Sequence, residues 1–125
     1  MLTAKRKTIL VVDDEEIIRE FLGEVLGEDY EVYRAGDGDE AIAQLSQQTF
    51  DLVITDMKMP RLSGEEVVKY VAKFCPGTPV VIISGYTTLY AVSQSVSHGA
   101  CAFLSKPFTI DDLTRTVEDI LSPHA

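Results

Sequence analysis

The stretch that decides the fold is residues 50–60, Phe50-Asp51-Leu52-Val53-Ile54-Thr55-Asp56-Met57-Lys58-Met59-Pro60. Its centre, Leu52 to Ile54, is short, fully apolar and partly β-branched, and it leads through Thr55 into Asp56. A run of this kind, closed by a turn signal, is typical of a strand buried inside a parallel sheet. Ligands of open parallel sheets bind at the edge where the strands end. We therefore predict that Asp56 lies at a functional edge.

Length and composition indicate one compact domain spanning residues 1–125. The chain is 46% hydrophobic, and its formal net charge of −9 argues against nucleic acid or an anionic membrane as a direct partner. The basic first residues, 1–7, have no apolar segment and do not form a signal peptide, and no apolar stretch is long enough to span a membrane. We expect a cytoplasmic protein whose two cysteines, Cys75 and Cys101, are reduced and structural.

Strand and helix patterns alternate along the whole chain. Strands are predicted at residues 8–12, 30–35, 52–55, 79–84 and 101–105. Amphipathic helices are predicted at 17–26, 40–46, 64–74 and 89–97, and a last one follows a cap at Thr109; Ile17, Phe74 and Ile110 are among their expected buried residues.

This alternation predicts an α/β fold, a doubly wound five-stranded parallel sheet with helices on both faces. The first strand is not followed by the Gly-x-Gly-x-x-Gly pattern of dinucleotide-binding folds. The flavodoxin-like strand order 2-1-3-4-5 is therefore favoured.

In that order the first and third strands are neighbours, and Asp13, Asp14 and Asp56 meet where they end. Three close carboxylates repel one another, and a hard divalent cation relieves the repulsion. Mg²⁺ suits all-oxygen ligands, with Mn²⁺ as an alternative. Each residue also has an ordinary structural interpretation, because Asp-Asp often caps a helix and Asp is common in turns.

Two further polar residues end strands on the same edge. Lys106 follows the fifth strand and is expected to pair with the carboxylates or with a phosphate. Ser84 ends the fourth strand, where its hydroxyl can donate to an anionic oxygen. Taken singly, Lys106 could be a solvated surface charge and Ser84 a turn hydroxyl. Four strands that each deliver a polar group to one edge favour a functional site.

These residues resemble the receiver domain of bacterial two-component response regulators. The similarity covers nearly the whole chain and rests on Val12-Asp13-Asp14-Glu15, on residues 51–60 with Gly64, on Ile83-Ser84-Gly85, on Gly99-Ala100, and on Phe103-Leu104-Ser105-Lys106-Pro107-Phe108.

The resemblance implies a phosphoacceptor domain for phosphorelay signalling. Asp56 would take a phosphoryl group from a sensor histidine kinase or a phosphotransfer protein, forming an aspartyl phosphate. Asp14, Asp56 and the backbone carbonyl of Lys58 would hold Mg²⁺, with Asp13 assisting through water. Lys106 would contact a phosphoryl oxygen. Ser84 and Phe103 would be the switch residues, Ser84 moving to the phosphate and Phe103 turning inward.

The resemblance also implies what the domain does with the phosphate. The readout face would be formed by residues 89–97, the fifth strand and the last helix, and it would control an output protein or a fused effector domain. A phosphorylation-dependent dimer is one form that this output takes in such proteins. The domain would not be an enzyme acting on other substrates, but it would catalyse its own phosphorylation and dephosphorylation. Lys58 and Tyr86 would tune the lifetime of the phosphoryl group.

Two other functions are weighed against this one. A metal-dependent phosphatase of the haloacid-dehalogenase type also places an Asp nucleophile at a strand end, but it requires Asp-x-Asp after the first strand and a cap insertion. An interaction module that no longer accepts phosphate is the other alternative, and the presence of every expected side chain argues against it.

Overall fold

The computed structural model describes residues 6–57, 63–85 and 102–122. In chain order the elements are β1 (Thr8–Val12), α1 (Glu16–Leu26), β2 (Glu31–Ala35), α2 (Gly38–Leu45), β3 (Leu52–Asp56), α3 (Gly64–Phe74), β4 (Val80–Ser84), β5 (Ala102–Ser105) and the last helix, here α4 (Ile110–Leu121). The helix predicted at 89–97, the carbonyl of Lys58, Tyr86 and Cys101 lie outside the described residues.

The five strands form one parallel sheet in the order β2-β1-β3-β4-β5, which confirms the predicted topology. β3 lies at its centre, with all five residues buried, because its apolar run is covered on both faces. β2 lies at one edge and is only partly buried, as its mixed sequence predicted.

Alternate residues of the strands pack into two separate apolar layers. One layer contains Leu10, Val53 and Ile82 and is covered by Ala41 and Leu45 of α2 and by Val67, Val68 and Val71 of α3. The other contains Ile9, Ile54 and Ile83 and is covered by Leu22 and Leu26 of α1 and by Leu113, Val117 and Leu121 of α4. The helices therefore cover both faces of the sheet, two on each among those described.

The strand register sets the positions of the site residues. Val12 of β1 lies opposite Thr55 of β3, so the residues that follow them, Asp13 and Asp56, come out side by side. On the other side of β3, Asp56 lies opposite Ile83, the residue before Ser84. The register of β1, β3 and β4 therefore brings Asp13, Asp56 and Ser84 to the same edge of the sheet.

Three apolar residues predicted to be buried are exposed. Ile17 and Ile110, in the first turns of α1 and α4, are 81% and 51% exposed, and Phe74, in the last turn of α3, is 60% exposed. These predictions were wrong for a common reason. Periodicity identifies the buried face of a helix, but terminal turns extend past the sheet that would cover them.

Side-chain caps mark the starts of α2, α3 and α4. Thr109 caps α4 in a reciprocal capping box with Asp112, as predicted for its N-cap. The predicted start of α2 at Glu40 was wrong by two residues. Asp37 accepts a 2.8 Å hydrogen bond from the Glu40 amide, so the helix begins at Gly38 within a segment that resembles a turn.

None of the helices in the described ranges is long and apolar enough to cross a membrane. Cys75 is a partly buried free thiol.

Candidate functional site

Three carboxylates converge at the carboxyl edge of the sheet. Asp13 follows β1, Asp56 ends β3, and both are buried, at 1% and 8% exposure, whereas Asp14 is exposed. One carboxylate oxygen from each residue lies within 4.8 Å of the others. The structure therefore brings together all three predicted carboxylates.

Backbone hydrogen bonds fix the position of Asp13. Its amide donates to the Ala35 carbonyl at 3.1 Å, and its Oδ1 accepts from the Glu15 amide at 2.9 Å. Glu15 is the N-cap residue of α1, so this bond forms an Asx turn just before the helix and does not cap it. Asp14 shows no such bond within the described residues, and a cap does not account for it.

Lys106 reaches into this cluster from the loop after β5. Its Nζ lies 3.6 Å from Asp13 Oδ2, 3.7 Å from Asp56 Oδ2 and 3.8 Å from Glu15 Oε1. Its backbone amide donates to the Ser84 carbonyl at 2.9 Å, which ties the loop to the end of β4. Lys106 therefore lies on the edge where the sequence predicted it, and it also contacts Glu15, which sequence reasoning missed.

Burial and like charge raise the pKa of the central carboxylate. Burial in the first place, and the Asp13 charge in the second, raise the pKa of Asp56 to about 6, although Lys106 opposes them. Burial also raises the pKa of Asp13, against the Glu15 amide and Lys106. The ammonium group of Lys106 therefore does not compensate the cluster fully.

This donor set fits a hard divalent cation. All three side chains offer oxygen, which Mg²⁺ and Mn²⁺ prefer, and the raised pKa of Asp56 shows that added positive charge would be favourable.

The start of α3 lies very close to the end of β3. The Gly64 amide donates to the Met57 carbonyl at 3.0 Å, and a Cβ on Gly64 would overlap the Asp56 carbonyl oxygen and crowd Met57 Cα. Only glycine fits at the start of α3, so Gly64 permits the close contact between α3 and the end of β3. The sequence identified Gly64 as a turn signal but not this contact.

The predicted switch residues lie on the two strands between β3 and the sheet edge, β4 and β5. Ser84 is buried at the end of β4, opposite Ser105 of β5. Phe103 is partly buried, lies opposite Ile82 and packs against the apolar layer under α2 and α3.

Arg19 is a neighbour of the site that the sequence analysis did not identify. Its Nη1 donates to the Asp13 carbonyl oxygen at 2.8 Å. A single basic residue among the acidic residues that open α1 was the only available signal.

Comparison with known proteins agrees with this geometry. The family model of the response regulator receiver domain matches residues 9–118. Sporulation initiation phosphotransferase F of Bacillus subtilis is 34% identical over 114 residues, which cover 90% of this chain and 92% of that protein. Response regulator protein PilR of Pseudomonas aeruginosa is 38% identical over 117 residues, 93% of this chain.

Several of these relatives are longer than the chain. The matched region spans 26% of PilR, 56% of the transcriptional activator ExaE of Pseudomonas putida and 55% of the regulatory protein PdtaR of Mycobacterium tuberculosis.

Solved structures give the same result. The chemotaxis protein CheY4 of Vibrio cholerae superposes with a TM-score of 0.88 at 33% identity, covering 93% of this chain and 99% of that one. The response regulator TrrA of Thermotoga maritima, solved in complex with Mg(2+)-BeF, has a TM-score of 0.84 at 37% identity, covering 92% of this chain and 99% of its own. The chain belongs to the response regulator receiver domains, the regulatory phosphoacceptor domains of two-component systems.

Proposed function

We propose that Asp56 accepts a phosphoryl group from a phosphohistidine of a partner protein in an Mg²⁺-dependent reaction. The observation that carries this proposal is the convergence of Asp13, Asp14 and Asp56 within 4.8 Å, with the ammonium of Lys106 beside two of them. The partner is a sensor histidine kinase or a phosphotransfer protein.

Asp56 is the nucleophile in this proposal. One of its carboxylate oxygens attacks phosphorus, the P–N bond to the imidazole breaks, and the bonding electron pair stays on the imidazole nitrogen. The attacking group must be ionised. With a pKa of about 6, most Asp56 carboxylates are ionised at neutral pH, and the raised pKa also makes them more basic than an ordinary Asp.

The neighbouring oxygen ligands hold the cation. Asp14 and Asp56, with the backbone carbonyl of Lys58, would bind Mg²⁺, or Mn²⁺ in its place, and Asp13 would assist through water. The bound ion supplies positive charge that offsets the charge on the transferred group.

Lys106 and Ser84 act on the phosphorylated form. Lys106 already lies 3.7 Å from Asp56 Oδ2, close enough for its ammonium to shift to a phosphoryl oxygen. Ser84 follows Ile83, the register partner of Asp56, so a local movement would bring its hydroxyl to a second phosphoryl oxygen. Phe103 would follow Ser84 and change the surface that includes β5 and α4.

Domain extent, location and output are the further parts of the proposed function. We propose that residues 1–125 form a single receiver domain that works in the cytoplasm, without direct contact with nucleic acid or membrane. Its phosphorylation would control an output protein or a fused effector domain, with phosphorylation-dependent dimerisation as one route.

Intact mass after incubation with acetyl phosphate tests the proposed acceptor. One added phosphoryl group is expected with Mg²⁺ and none with EDTA. Asp56→Asn should abolish the adduct, because an amide is not a comparable nucleophile. Asp51→Asn is the matched control, since Asp51 is an exposed carboxylate just before the same strand and should leave labelling unchanged.

Labelling of Asp56→Asn at the wild-type rate would identify another residue as the acceptor. A second incubation, with an aryl phosphate, separates the receiver from a phosphatase. An aryl phosphate should yield no sustained release of phosphate over many turnovers, whereas a phosphatase would release it continuously.

A further inference from the structure

We infer that Arg19 is a positioning residue for the cation site and that it acts through the Asp13–Asp14 peptide group. This inference rests on the proposed Mg²⁺ site. It concerns a side chain that neither offers an oxygen to a cation nor belongs to the carboxylate cluster.

Asp13 is held at three of its four polar atoms. Its N–H donates to Ala35, its Oδ1 accepts from the Glu15 amide, and its carbonyl oxygen accepts from Arg19 Nη1 at 2.8 Å. The remaining atom, Oδ2, faces Lys106. The Arg19 bond is thus the one that a side chain makes to the main chain of Asp13, and a charged donor makes it stronger than a neutral one.

Asp14 depends on the same peptide group. It is exposed, and within the described residues its side chain makes no hydrogen bond or ion pair, so only its backbone directs the carboxylate toward Asp56. The peptide that joins Asp13 to Asp14 is planar, so fixing the Asp13 carbonyl also fixes the Asp14 nitrogen. Arg19 therefore restrains the peptide group from which Asp14 extends toward the cluster.

Arg19 is itself well placed for this role. Its amide donates to the Glu15 carbonyl in the first turn of α1. Its guanidinium lies against Gly36, where an added Cβ would be 3.3 Å from both Arg19 Nη1 and Glu40 Oε2. The guanidinium is confined between α1 and the loop after β2, next to a residue that has no side chain.

Charge and positioning predict opposite effects when Arg19 is neutralised. Removing a cation near three carboxylates should tighten Mg²⁺ binding if only long-range electrostatics matter. Releasing the Asp13–Asp14 peptide should weaken binding, because Asp14 must then be ordered when the ion binds. The sign of the change therefore identifies the role.

The test is the Mg²⁺ dissociation constant, measured by isothermal titration calorimetry on the whole chain. Arg19→Met keeps the aliphatic stem and loses the donor, and we expect it to weaken binding about three- to tenfold, the value of one hydrogen bond. Arg19→Lys keeps a charged donor and should recover most of the affinity. Arg34→Met is the matched control, because Arg34 is exposed on β2 and lies over Gly23 of α1.

Amide NMR spectra of the metal-free variants add a readout close to the proposed point of action. The Glu15 amide, bonded to Asp13 Oδ1, should shift in metal-free Arg19→Met but not in Arg34→Met. If Arg19→Met does not fold, Arg19→Gln replaces it, because the shorter Gln side chain does not reach the same carbonyl. The same loss of Mg²⁺ affinity is expected.

Two outcomes would overturn the inference, and they differ in what else they overturn. If the wild type binds Mg²⁺ and the Arg19 variants bind equally or more tightly, the positioning role is wrong while the proposed site stands. If the wild type shows no Mg²⁺ binding at millimolar concentrations, the proposed site is wrong and the inference falls with it.

Discussion

At the scale of single residues, Asp56 is in an unfavourable environment when no cation is bound. Its carboxylate is buried beside Asp13, and the one ammonium group of Lys106 lies within 4 Å of three acids, Asp13, Glu15 and Asp56. The pKa of Asp56, raised to about 6, reflects the unfavourable free energy of ionising this buried carboxylate. The molecule keeps a carboxylate at this position although a neutral side chain would be more stable there, which is common for residues that carry function.

The pH dependence of stability follows from that pKa. Asp56 binds its proton more tightly in the folded state, where the pKa is about 6, than in the unfolded chain, where it is near 3.8. The group therefore disfavours folding once it is ionised, so metal-free stability should fall as pH rises from about 4 to about 6. The loss is of the order of 3 kcal/mol at most. Urea unfolding in EDTA across this range measures it.

Asp56→Asn isolates this contribution from those of the other acids. The difference in unfolding free energy between the variant and the wild type should be small near pH 4 and should grow in favour of the variant toward pH 7. A constant difference across the range would show that Asp56 titrates normally.

At the scale of elements, the site is a set of strand ends joined to helix starts. Among the described residues, local contacts hold the polar groups in place: Asp13 Oδ1 accepts from the Glu15 amide, Lys106 is tied to β4, and Gly64 brings α3 against the end of β3. Side chains mounted in this way are held more rigidly than they would be on long loops.

Gly64→Ala should disturb this arrangement. The added Cβ would overlap the Asp56 carbonyl oxygen and crowd Met57 Cα, both backbone atoms that cannot rotate away. We expect a loss of about 2 kcal/mol or more in unfolding free energy, as in other overpacked sites, together with slower phosphorylation. Urea unfolding and intact mass measure the two effects.

Gly77→Ala is the control for this prediction, because nothing lies within 4 Å of the position that its Cβ would occupy. Its effect on both measurements should be small. Equal effects of the two substitutions would mean that Gly64 matters only through backbone entropy.

At the scale of the whole molecule, the two apolar layers make the sheet a rigid platform under the site. The carboxylate cluster is formed at the ends of β1 and β3, which are about forty residues apart in the sequence, and Lys106 joins it from the end of β5. A cation that binds only when those strand ends are assembled therefore stabilises the entire fold.

Mg²⁺ should raise the melting temperature accordingly. At one hundred times its dissociation constant the ion would add about 2.7 kcal/mol, which corresponds to a rise of roughly 5 to 15 °C for a domain of this size. Differential scanning calorimetry with Mg²⁺ or EDTA measures the rise. Asp14→Asn should greatly reduce it, and an unchanged rise would exclude Asp14 as a ligand.

Most of this architecture could be predicted from the sequence, because apolar periodicity is local and the alternation of strands with helices limits the possible strand orders. The same reasoning placed Asp13, Asp14, Asp56 and Lys106 on one edge. It failed where the outcome depends on how far the sheet extends, as for Ile17 and Ile110. It also missed Arg19, whose bond to a backbone carbonyl leaves no pattern in side-chain spacing.

The parallel sheet places the carboxylate cluster and the loop before β4 at opposite ends of the strands. Strands of five residues place the loop at Gly77 roughly 16 Å from the edge that carries Asp56. The open space around Gly77 makes it suitable for a fluorophore or an affinity handle. A reporter attached there could follow partner association in real time while leaving the carboxylates untouched.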